Sequence, residues 1–215
     1  MRFRDRLDAG GAVANLLSAY AHRGDVIVLG LPRGGVPVAV EIARQLDAPV
    51  DVFLVRKLGV PGHEELGFGA IAEGGVRVLN DALIADLELP PAAIDRVASR
   101  EGVELARRQE LYRSGRPLPS LRNRVVVLVD DGLATGATME AAIAAVRLLA
   151  PSRVVVAVPV GARETCDRLR RIADELVCAA TPEPFDAVGL WYDDFRQTTD
   201  DEVRALLHER KSADG

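Results

Sequence analysis

The sequence has few cysteines and no long apolar segment. These two features exclude a disulfide-stabilised or thiolate-metal protein and a protein with a membrane-spanning helix. Its two cysteines, Cys166 and Cys178, are too few and too far apart for a disulfide framework or a thiolate metal site. We therefore expect small buried or half-buried side chains in a reducing cytoplasm. No segment approaches the ~18 consecutive apolar residues of a membrane-spanning helix, and the charged N-terminus holds no apolar run of signal length. The sequence thus predicts a cytoplasmic location and no membrane partner.

The chain also lacks an excess of positive charge. The chain has 27 Lys and Arg residues against 32 Asp and Glu residues, for a formal net charge of −5. Such a chain has no overall attraction to nucleic acid or to an anionic membrane, and it contains no basic helix or nucleic-acid-binding motif. We expect no nucleic-acid partner, and any phosphate ligand must be bound by a local site.

Short apolar runs rich in Val alternate with helical patterns along most of the chain. The runs predict strands at residues 25–30, 50–55, 125–129, 154–158 and 176–178. The helical patterns lie at about 36–46, 139–149 and 164–172. This alternation predicts right-handed βαβ units, and hence an α/β fold with a parallel twisted sheet flanked by helices. A length of 215 residues suits one domain, with its core at about residues 24–180.

Two internal segments interrupt the alternation. Glycines are frequent between residues 58 and 80, which predicts a mobile loop over 58–69 that runs into a β-hairpin with its turn at Gly74-Gly75. A long charged helix is predicted from Pro91 to Tyr112, because two prolines open the pattern in the expected place. Its charged residues are most simply a solvated face.

The two ends of the chain are expected to lie outside the core. Residues 1–22, with a helix at about 12–20, and the tail over 182–212 are predicted to form a small cap at the edge of the sheet. Exposed sheet edges in α/β domains of this size often pair, so a homodimer stays open.

The most specific pattern follows the predicted strand 125–129, where residues 130–138 read DDGLATGAT and a helix then begins. At the carboxyl end of a parallel strand, inward-facing backbone N–H groups and the positive end of the next helix form an anion cradle. Thr135 and Thr138 add hydroxyl donors. The adjacent carboxylates of Asp130 and Asp131 would repel a phosphate unless they face ligand hydroxyls or a metal. A sugar with a 5-phosphate and free 2- and 3-hydroxyls meets both conditions.

Other phosphate-binding motifs do not fit this segment. A P-loop requires Lys after its last glycine, and Ala137 follows Gly136 here. The GxGxxG dinucleotide fingerprint is absent from the chain. The remaining alternative is an ordinary turn between strand and helix with an acidic N-cap.

Residues 125–138 resemble the signature of the type I phosphoribosyltransferases, in which an apolar strand, two acids and two small or apolar residues precede Thr-Gly-x-Thr. The whole chain, from MRFRDR to TTDDEV, is also similar to a group of bacterial phosphoribosyltransferase-like proteins without a known acceptor. The resemblance implies transfer of 5-phosphoribosyl from phosphoribosyl pyrophosphate to a nitrogen acceptor, expected to be a nucleobase, with release of pyrophosphate and with Mg²⁺ as cofactor. It also implies that the glycine-rich segment over 58–80 is a flexible lid, a loop and hairpin that close over the site. A non-catalytic module that senses this donor or a nucleotide is the alternative to catalysis.

The resemblance also assigns the residues of this loop to parts of the donor. Asp130 and Asp131 would contact the ribose hydroxyls, and they would contact Mg²⁺ only indirectly or through those hydroxyls. They are therefore candidate catalytic and metal-site residues. The 5-phosphate would be bound by the turn that follows, Ala134, Thr135, Gly136, Ala137 and Thr138.

Two further segments are candidates for the pyrophosphate side of the same site. Arg33-Gly34-Gly35 follows the first strand, where a guanidinium beside a glycine turn can bind phosphate, and it resembles the family's pyrophosphate loop. Arg56 and Lys57 follow the second predicted strand, at the sheet edge that usually faces a ligand. Arg33 and Lys57 are candidate catalytic residues that neutralise the leaving pyrophosphate. Solvated surface charges are the alternative for Arg56 or Lys57.

Aromatic residues are rare, and three of them lie close together in the tail. Trp191, Tyr192 and Phe195 are candidates for stacking on the acceptor, the role that the resemblance to purine-type enzymes implies. Packing within the cap is an equal alternative. Ala134 stands where hypoxanthine–guanine enzymes place an Asp near the base, and Gly161 stands where they carry a Lys. The sequence therefore leaves the acceptor open and does not support a 6-oxopurine.

Overall fold

The computed structural model describes residues 2–213, apart from the side chains of Glu65 and of residues 209–213. The described chain forms eight strands: β1 (Val26–Gly30), β2 (Val50–Val52), β3 (Val55–Val60), β4 (His63–Ala72), β5 (Val76–Leu79), β6 (Val125–Val129), β7 (Arg153–Val160) and β8 (Glu175–Ala180). It also forms seven α-helices: α1 (Arg6–Leu16), α2 (Gly35–Leu46), α3 (Asp81–Asp86), α4 (Pro91–Arg113), α5 (Ala137–Arg147), α6 (Arg163–Leu169) and α7 (Asp200–Ala213). None of these described helices is long and apolar enough to span a lipid bilayer.

Five strands form a central sheet in the order β2-β1-β6-β7-β8, and all of its neighbouring pairs are parallel. The Val-rich strands β1 and β6 are buried along their whole length, because apolar clusters cover both faces of the sheet. The predicted α/β fold, with a parallel sheet flanked by helices, is therefore confirmed. Cys166 on α6 and Cys178 on β8 are free thiols, buried and half-buried as predicted.

The register of the sheet brings two turns together at its carboxyl edge. Gly30 of β1 pairs with Val129 of β6. The N–H of Leu31 then donates to the Val129 carbonyl at 2.8 Å. The turn after β1 and the loop after β6 are therefore neighbours, which places both predicted phosphate-binding segments on one side of the molecule.

A second sheet, β3-β4-β5, is antiparallel. The single predicted strand over 50–55 is wrong, because β2 ends at Val52 and β3 begins at Val55 in this other sheet. Phe53 and Leu54, which link the two strands, are buried. The sequence stays apolar through the link because both linking side chains are buried. An apolar run alone therefore does not show where one strand ends and a strand of another sheet begins.

The predicted mobile loop over 58–69 is also wrong in conformation, because most of it belongs to the hairpin of β3 and β4. The register between these strands shifts at Leu58 and Gly59, which hides the strand alternation in the sequence. The predicted hairpin turn is confirmed. Gly74 and Gly75 lie between β4 and β5 with φ angles of 76° and 75°, values that suit glycine.

The ends of the chain pack against each other. The first helix spans Arg6–Leu16 and not 12–20 as predicted, and Asp5 caps it by accepting two backbone N–H groups of the first turn. Phe3 pairs with Tyr192 in a short parallel bridge, and both side chains are buried. The N-terminal segment is thus fixed to the C-terminal tail.

A buried cluster of charged side chains joins the two sheets to α4. Arg113, the last residue of α4, is 1% exposed and donates through Nε to Asp51 Oδ1 at 3.0 Å. Its terminal nitrogens donate to the Glu73 carboxylate and to the Val52 carbonyl. Asp51 belongs to β2 and Glu73 follows β4, so one guanidinium binds groups from both sheets. Burial raises the pKa of Glu73 to about 7, against the opposing effect of Arg113.

We expect Glu73 to make the stability depend on pH. Its pKa in the folded protein, about 7, exceeds the ordinary value of 4.5. The folded protein therefore binds more protons than the unfolded chain between these values, and the free energy of unfolding falls as the pH rises through this window. Glu73→Gln is expected to remove this part of the fall, so the variant gains on the parent between about pH 5 and about pH 8. Chemical denaturation at both pH values measures the gain, and an equal difference at both would contradict the expectation.

Candidate active site

The loop after β6 presents an open helix N-terminus. α5 begins at Ala137, and its N-cap Gly136 has a φ of 73°, a left-handed conformation that suits glycine. The first N–H groups of a helix have no partner within it, and Gly136 supplies no side-chain cap. Ala134, Thr135, Ala137 and Thr138 are exposed around this end. The N-terminus of α5 is therefore suited to bind an anion.

Two side chains of helix α6 donate hydrogen bonds to carbonyl groups of this loop. Thr165 Oγ1 donates to the Ala134 carbonyl at 2.6 Å, and Arg168 donates to the Thr135 carbonyl. A Cβ at Gly136 would lie 2.6 Å from the Thr165 methyl group, so the close approach requires glycine. Because these contacts use carbonyl oxygens of the loop, they leave its backbone N–H groups available to a ligand. Sequence reasoning missed Thr165 and Arg168, because no local pattern links them to a loop about thirty positions earlier.

Asp130 and Asp131 lie at the start of the loop, where their carboxyl groups are largely out of water. Burial raises the pKa of Asp130 well above its ordinary value, and the charge of Asp131 raises it further. Burial also raises the pKa of Asp131, and Arg6 opposes that rise. Groups that donate hydrogen bonds or carry positive charge stabilise such a pair. The pair is therefore suited to hydroxyl groups or a cation, as the sequence predicts.

The predicted turn Arg33-Gly34-Gly35 packs directly against the acids. A Cβ at Gly34 would collide with the Asp131 carboxylate. A Cβ at Gly35 would lie 2.5 Å from the Val129 carbonyl. The peptide bond before Arg33 is cis. The structure thus brings the two acids predicted to bind the ribose and the predicted pyrophosphate turn into contact.

Arg6 of α1, which sequence reasoning did not identify, binds the second acid. Its Nε and Nη2 atoms lie 2.9 Å and 2.8 Å from Asp131 Oδ2. Its guanidinium carbon lies 4.1 Å from the centroid of the Phe195 ring. Tyr192 completes the arrangement by donating its hydroxyl to the Asp131 carbonyl at 2.6 Å. Both ends of the chain therefore position Asp131, through contacts that span 125 and 61 positions of sequence.

The predicted cations on β3 line a large cleft beside the loop. The cleft has a volume of about 1020 Å³, and Thr135 and Thr138 line it together with Arg56 and Lys57. Neither cation follows a parallel strand as expected, because β3 belongs to the antiparallel sheet. Lys57 is exposed, whereas Arg56 donates to Glu101 Oε2 at 3.0 Å and 2.6 Å. The positive charge of Arg56 is thus already paired within the protein.

Arg33 lines a second cavity, which the glycine turn also lines. This cavity has a volume of about 430 Å³, and Gly34 and Asp131 also line it. Pro32 and Arg108 line both this cavity and the large cleft, so the two spaces adjoin. The candidate site is therefore divided, with Thr135 and Thr138 in the large cleft and Arg33 and Asp131 in the second cavity.

The structure distinguishes the three aromatic candidates of the tail. Tyr192 is 2% exposed, with ring centroids 5.6 Å from Phe3 and 4.9 Å from Phe195. Its ring cannot stack on an acceptor in this conformation, so for Tyr192 the structure supports the packing alternative. Phe195 is half-buried, with Arg6 over its ring. Trp191 is half-buried, and its indole nitrogen finds no hydrogen-bond partner in the described part of the chain.

The acids can hold a metal only with help from a ligand. No cluster of three or more His, Cys, Asp or Glu side chains that could bind a metal occurs among the described residues. Asp130 and Asp131 offer two carboxyl groups, and Arg6 already binds one oxygen of Asp131. Mg²⁺ takes oxygen ligands and keeps several waters when it binds to one or two carboxylates. The pair therefore fits Mg²⁺ when ligand oxygens and waters complete the coordination.

The sequence matches a family model and curated relatives. The family model described as "Phosphoribosyl transferase domain" matches residues 6–189. In Mycobacterium tuberculosis, strains CDC 1551 and H37Rv, a relative named "Putative phosphoribosyl transferase" is 52% identical over 205 residues, which are 95% of this chain and 46% of that protein. The chain thus spans about half the length of these curated relatives.

Two solved structures are also similar to this chain. The crystal structure of TT1426 from Thermus thermophilus has a TM-score of 0.88 and 47% identity, over 97% of this chain and 99% of that chain. The AQ2163 protein from Aquifex aeolicus has a TM-score of 0.52 and 14% identity, over 94% of this chain and 85% of that chain, which is a likeness of fold alone. Since the family model covers most of its length, this chain belongs to the phosphoribosyltransferase family.

Proposed function

We propose that the protein transfers a 5-phosphoribosyl group from phosphoribosyl pyrophosphate to a nitrogen acceptor and releases pyrophosphate. The proposal rests on three features that meet at one edge of the sheet: an open helix N-terminus, a half-buried pair of acids and an arginine–glycine turn. The donor has three parts of matching chemistry, namely a phosphate, two ribose hydroxyls and a pyrophosphate. Membership of the family supports transfer that depends on this donor.

The 5-phosphate is assigned to the N-terminus of α5. Backbone N–H groups of residues 134–138 would donate to its oxygens, and the hydroxyls of Thr135 and Thr138 would add two donors. Asp130 and Asp131 would accept hydrogen bonds from the ribose hydroxyls. Because these acids lie next to the loop, one sugar phosphate can reach both.

Pyrophosphate is the leaving group. The bond between ribose C1 and a pyrophosphate oxygen breaks, and its electron pair stays on that oxygen. The acceptor nitrogen forms the new bond to C1 and loses its proton to water or to the released pyrophosphate. Arg33 and Lys57 would neutralise the charge that develops on the leaving group. Mg²⁺ bound with the donor would supply further neutralisation, and Asp130 and Asp131 would hold it through waters or the ribose hydroxyls.

The acceptor and the lid complete the proposal. The β3–β4 hairpin would close over the large cleft and exclude water, which otherwise hydrolyses the donor. A nucleobase is the proposed acceptor, with Trp191 and Phe195 as stacking candidates because Tyr192 is buried. Tyr192 would act on the donor side, through its hydrogen bond to the Asp131 carbonyl.

Release of pyrophosphate tests this function. The protein is incubated with the donor and Mg²⁺, and purine bases, pyrimidine bases and other nitrogen nucleophiles are added one at a time. We expect pyrophosphate release that depends on at least one acceptor, and no release by an Asp131→Asn variant. Saturable donor binding without turnover across the panel would contradict catalysis and support the alternative, a sensing module.

A further inference from the structure

Three arginines from separate parts of the chain line the second cavity, which we call the arginine cavity. They are Arg6 of α1, Arg33 of the turn after β1 and Arg108 of α4. Asp131 and residues of the C-terminal tail line the same space of about 430 Å³. Sequence reasoning singles out Arg33 alone, because the other two reach the cavity only through the fold.

The guanidinium of Arg6 is held in place before any ligand binds. Its side chain is 11% exposed. It donates to Asp131 Oδ2 and, at 2.8 Å, to the Arg196 carbonyl, and it lies over the Phe195 ring. A guanidinium has more N–H groups than these two acceptors use, so donors remain for a ligand. A side chain already fixed in this way loses little conformational freedom on binding.

The wall of the arginine cavity carries a net positive charge. It has three guanidinium groups and one carboxylate, that of Asp131. Glu104 pairs with Arg108 at 2.8 Å and Asp200 lies 3.9 Å from Arg33, but neither acid lines the cavity. Clefts lined by one sign of charge concentrate ligands of the opposite sign. The arginine cavity is therefore suited to a small polyanion.

We propose that Arg6 and Arg108 bind the pyrophosphate group of the donor together with Arg33. This inference rests on the proposed function and adds two residues to its leaving-group side. A guanidinium can bind phosphate oxygens through two parallel hydrogen bonds, and three such groups match the charge of pyrophosphate better than Arg33 alone. Asp131 is then shared, since Arg6 binds Oδ2 and Oδ1 is left for the ribose hydroxyls.

A purely structural role of Arg6 has a different consequence. If Arg6 only fixed Asp131 and the chain ends, its removal would weaken the whole donor site. Inorganic pyrophosphate and ribose 5-phosphate separate the two roles, because each represents one half of the donor. A direct contact affects the first ligand far more than the second.

Calorimetric titration of both ligands, with Mg²⁺ present, tests the inference on the parent and on Arg6→Gln, Arg108→Gln and Arg33→Gln. We expect Arg6→Gln and Arg108→Gln each to weaken pyrophosphate binding about tenfold or more, and ribose 5-phosphate binding less than about threefold. Arg6→Lys keeps the charge without the planar fork, so its loss is intermediate. Arg4→Gln is the matched control, because the Arg4 side chain is 81% exposed and pairs with Asp8, and both affinities should stay unchanged.

The outcomes distinguish a failure of this inference from a failure of the proposed function. Unchanged pyrophosphate affinity in Arg6→Gln and Arg108→Gln, with a loss in Arg33→Gln, overturns the inference and leaves the proposed function intact. Equal weakening of both ligands by Arg6→Gln overturns the direct role of Arg6. Failure of the parent to bind either ligand rejects the proposed function itself. Melting curves check that each variant is folded, and Arg6→Lys replaces Arg6→Gln if the latter is not.

Discussion

Asp131→Asn is expected to lower the affinity for phosphoribosyl pyrophosphate by about a hundredfold while the protein stays folded. The Asn carbonyl oxygen can still accept from Arg6, so the contact that fixes the side chain survives. The amide carries no charge, however, and it brings N–H donors to a site that needs acceptors for the ribose hydroxyls. Titration of the donor in the presence of Mg²⁺ measures the loss.

Asp25→Asn is the matched control for this variant. Asp25 precedes β1 at the opposite end of the sheet and pairs with Arg23 at 2.7 Å on the surface. We expect it to bind the donor as the parent does, and both variants to melt near the parent's temperature. If Asp131→Asn binds the donor with unchanged affinity, the assignment of residues 130–138 is wrong.

Gly34→Ala is expected to reduce donor binding by a similar factor, through the turn that faces Asp131. The added Cβ collides with the Asp131 carboxylate, which must rotate away from Arg6 to make room. Because the obstacle is a side chain, we expect the fold to accommodate the change at a cost of about 1–3 kcal/mol. Donor titration and chemical denaturation together separate the loss of binding from the loss of stability.

Two other glycines are suitable comparisons for this variant. Gly24→Ala adds a Cβ with no atom within 4 Å, and it should change neither binding nor stability. Gly35→Ala places its Cβ 2.5 Å from the Val129 carbonyl, so the backbone must move and the stability should fall further than in Gly34→Ala. Donor affinity in Gly34→Ala equal to that in Gly24→Ala would contradict the tight packing of the turn on Asp131.

Local sequence patterns were sufficient to predict the parts of the site that consist of consecutive residues. The strand that ends at Val129, the two acids and the glycine-capped helix follow one another within residues 125–138, and each has a determinant in its own residue type. The turn Arg33-Gly34-Gly35 was predictable for the same reason. Their contact was predictable from topology, since adjacent parallel strands end at one edge of a sheet.

The remaining features depend on contacts between distant parts of the chain. Arg6 reaches Asp131 only because the N-terminal segment pairs with the tail, and Thr165 reaches Ala134 only because α6 packs against the loop. The β3–β4 pair of the antiparallel sheet escaped prediction because a shift of register near Gly59 breaks its alternation. Such features are determined by tertiary packing, which cannot be predicted from the periodicity of the sequence.

The structure of the protein with phosphoribosyl pyrophosphate and Mg²⁺ bound is the most direct test of the central claim, that residues 130–138 bind the donor. We predict the 5-phosphate on the N–H groups of residues 134–138, the ribose hydroxyls beside Asp130 and Asp131, and the pyrophosphate in the cavity lined by Arg6, Arg33 and Arg108. A donor bound elsewhere, with the N-terminus of α5 unoccupied in the complex, would contradict the account.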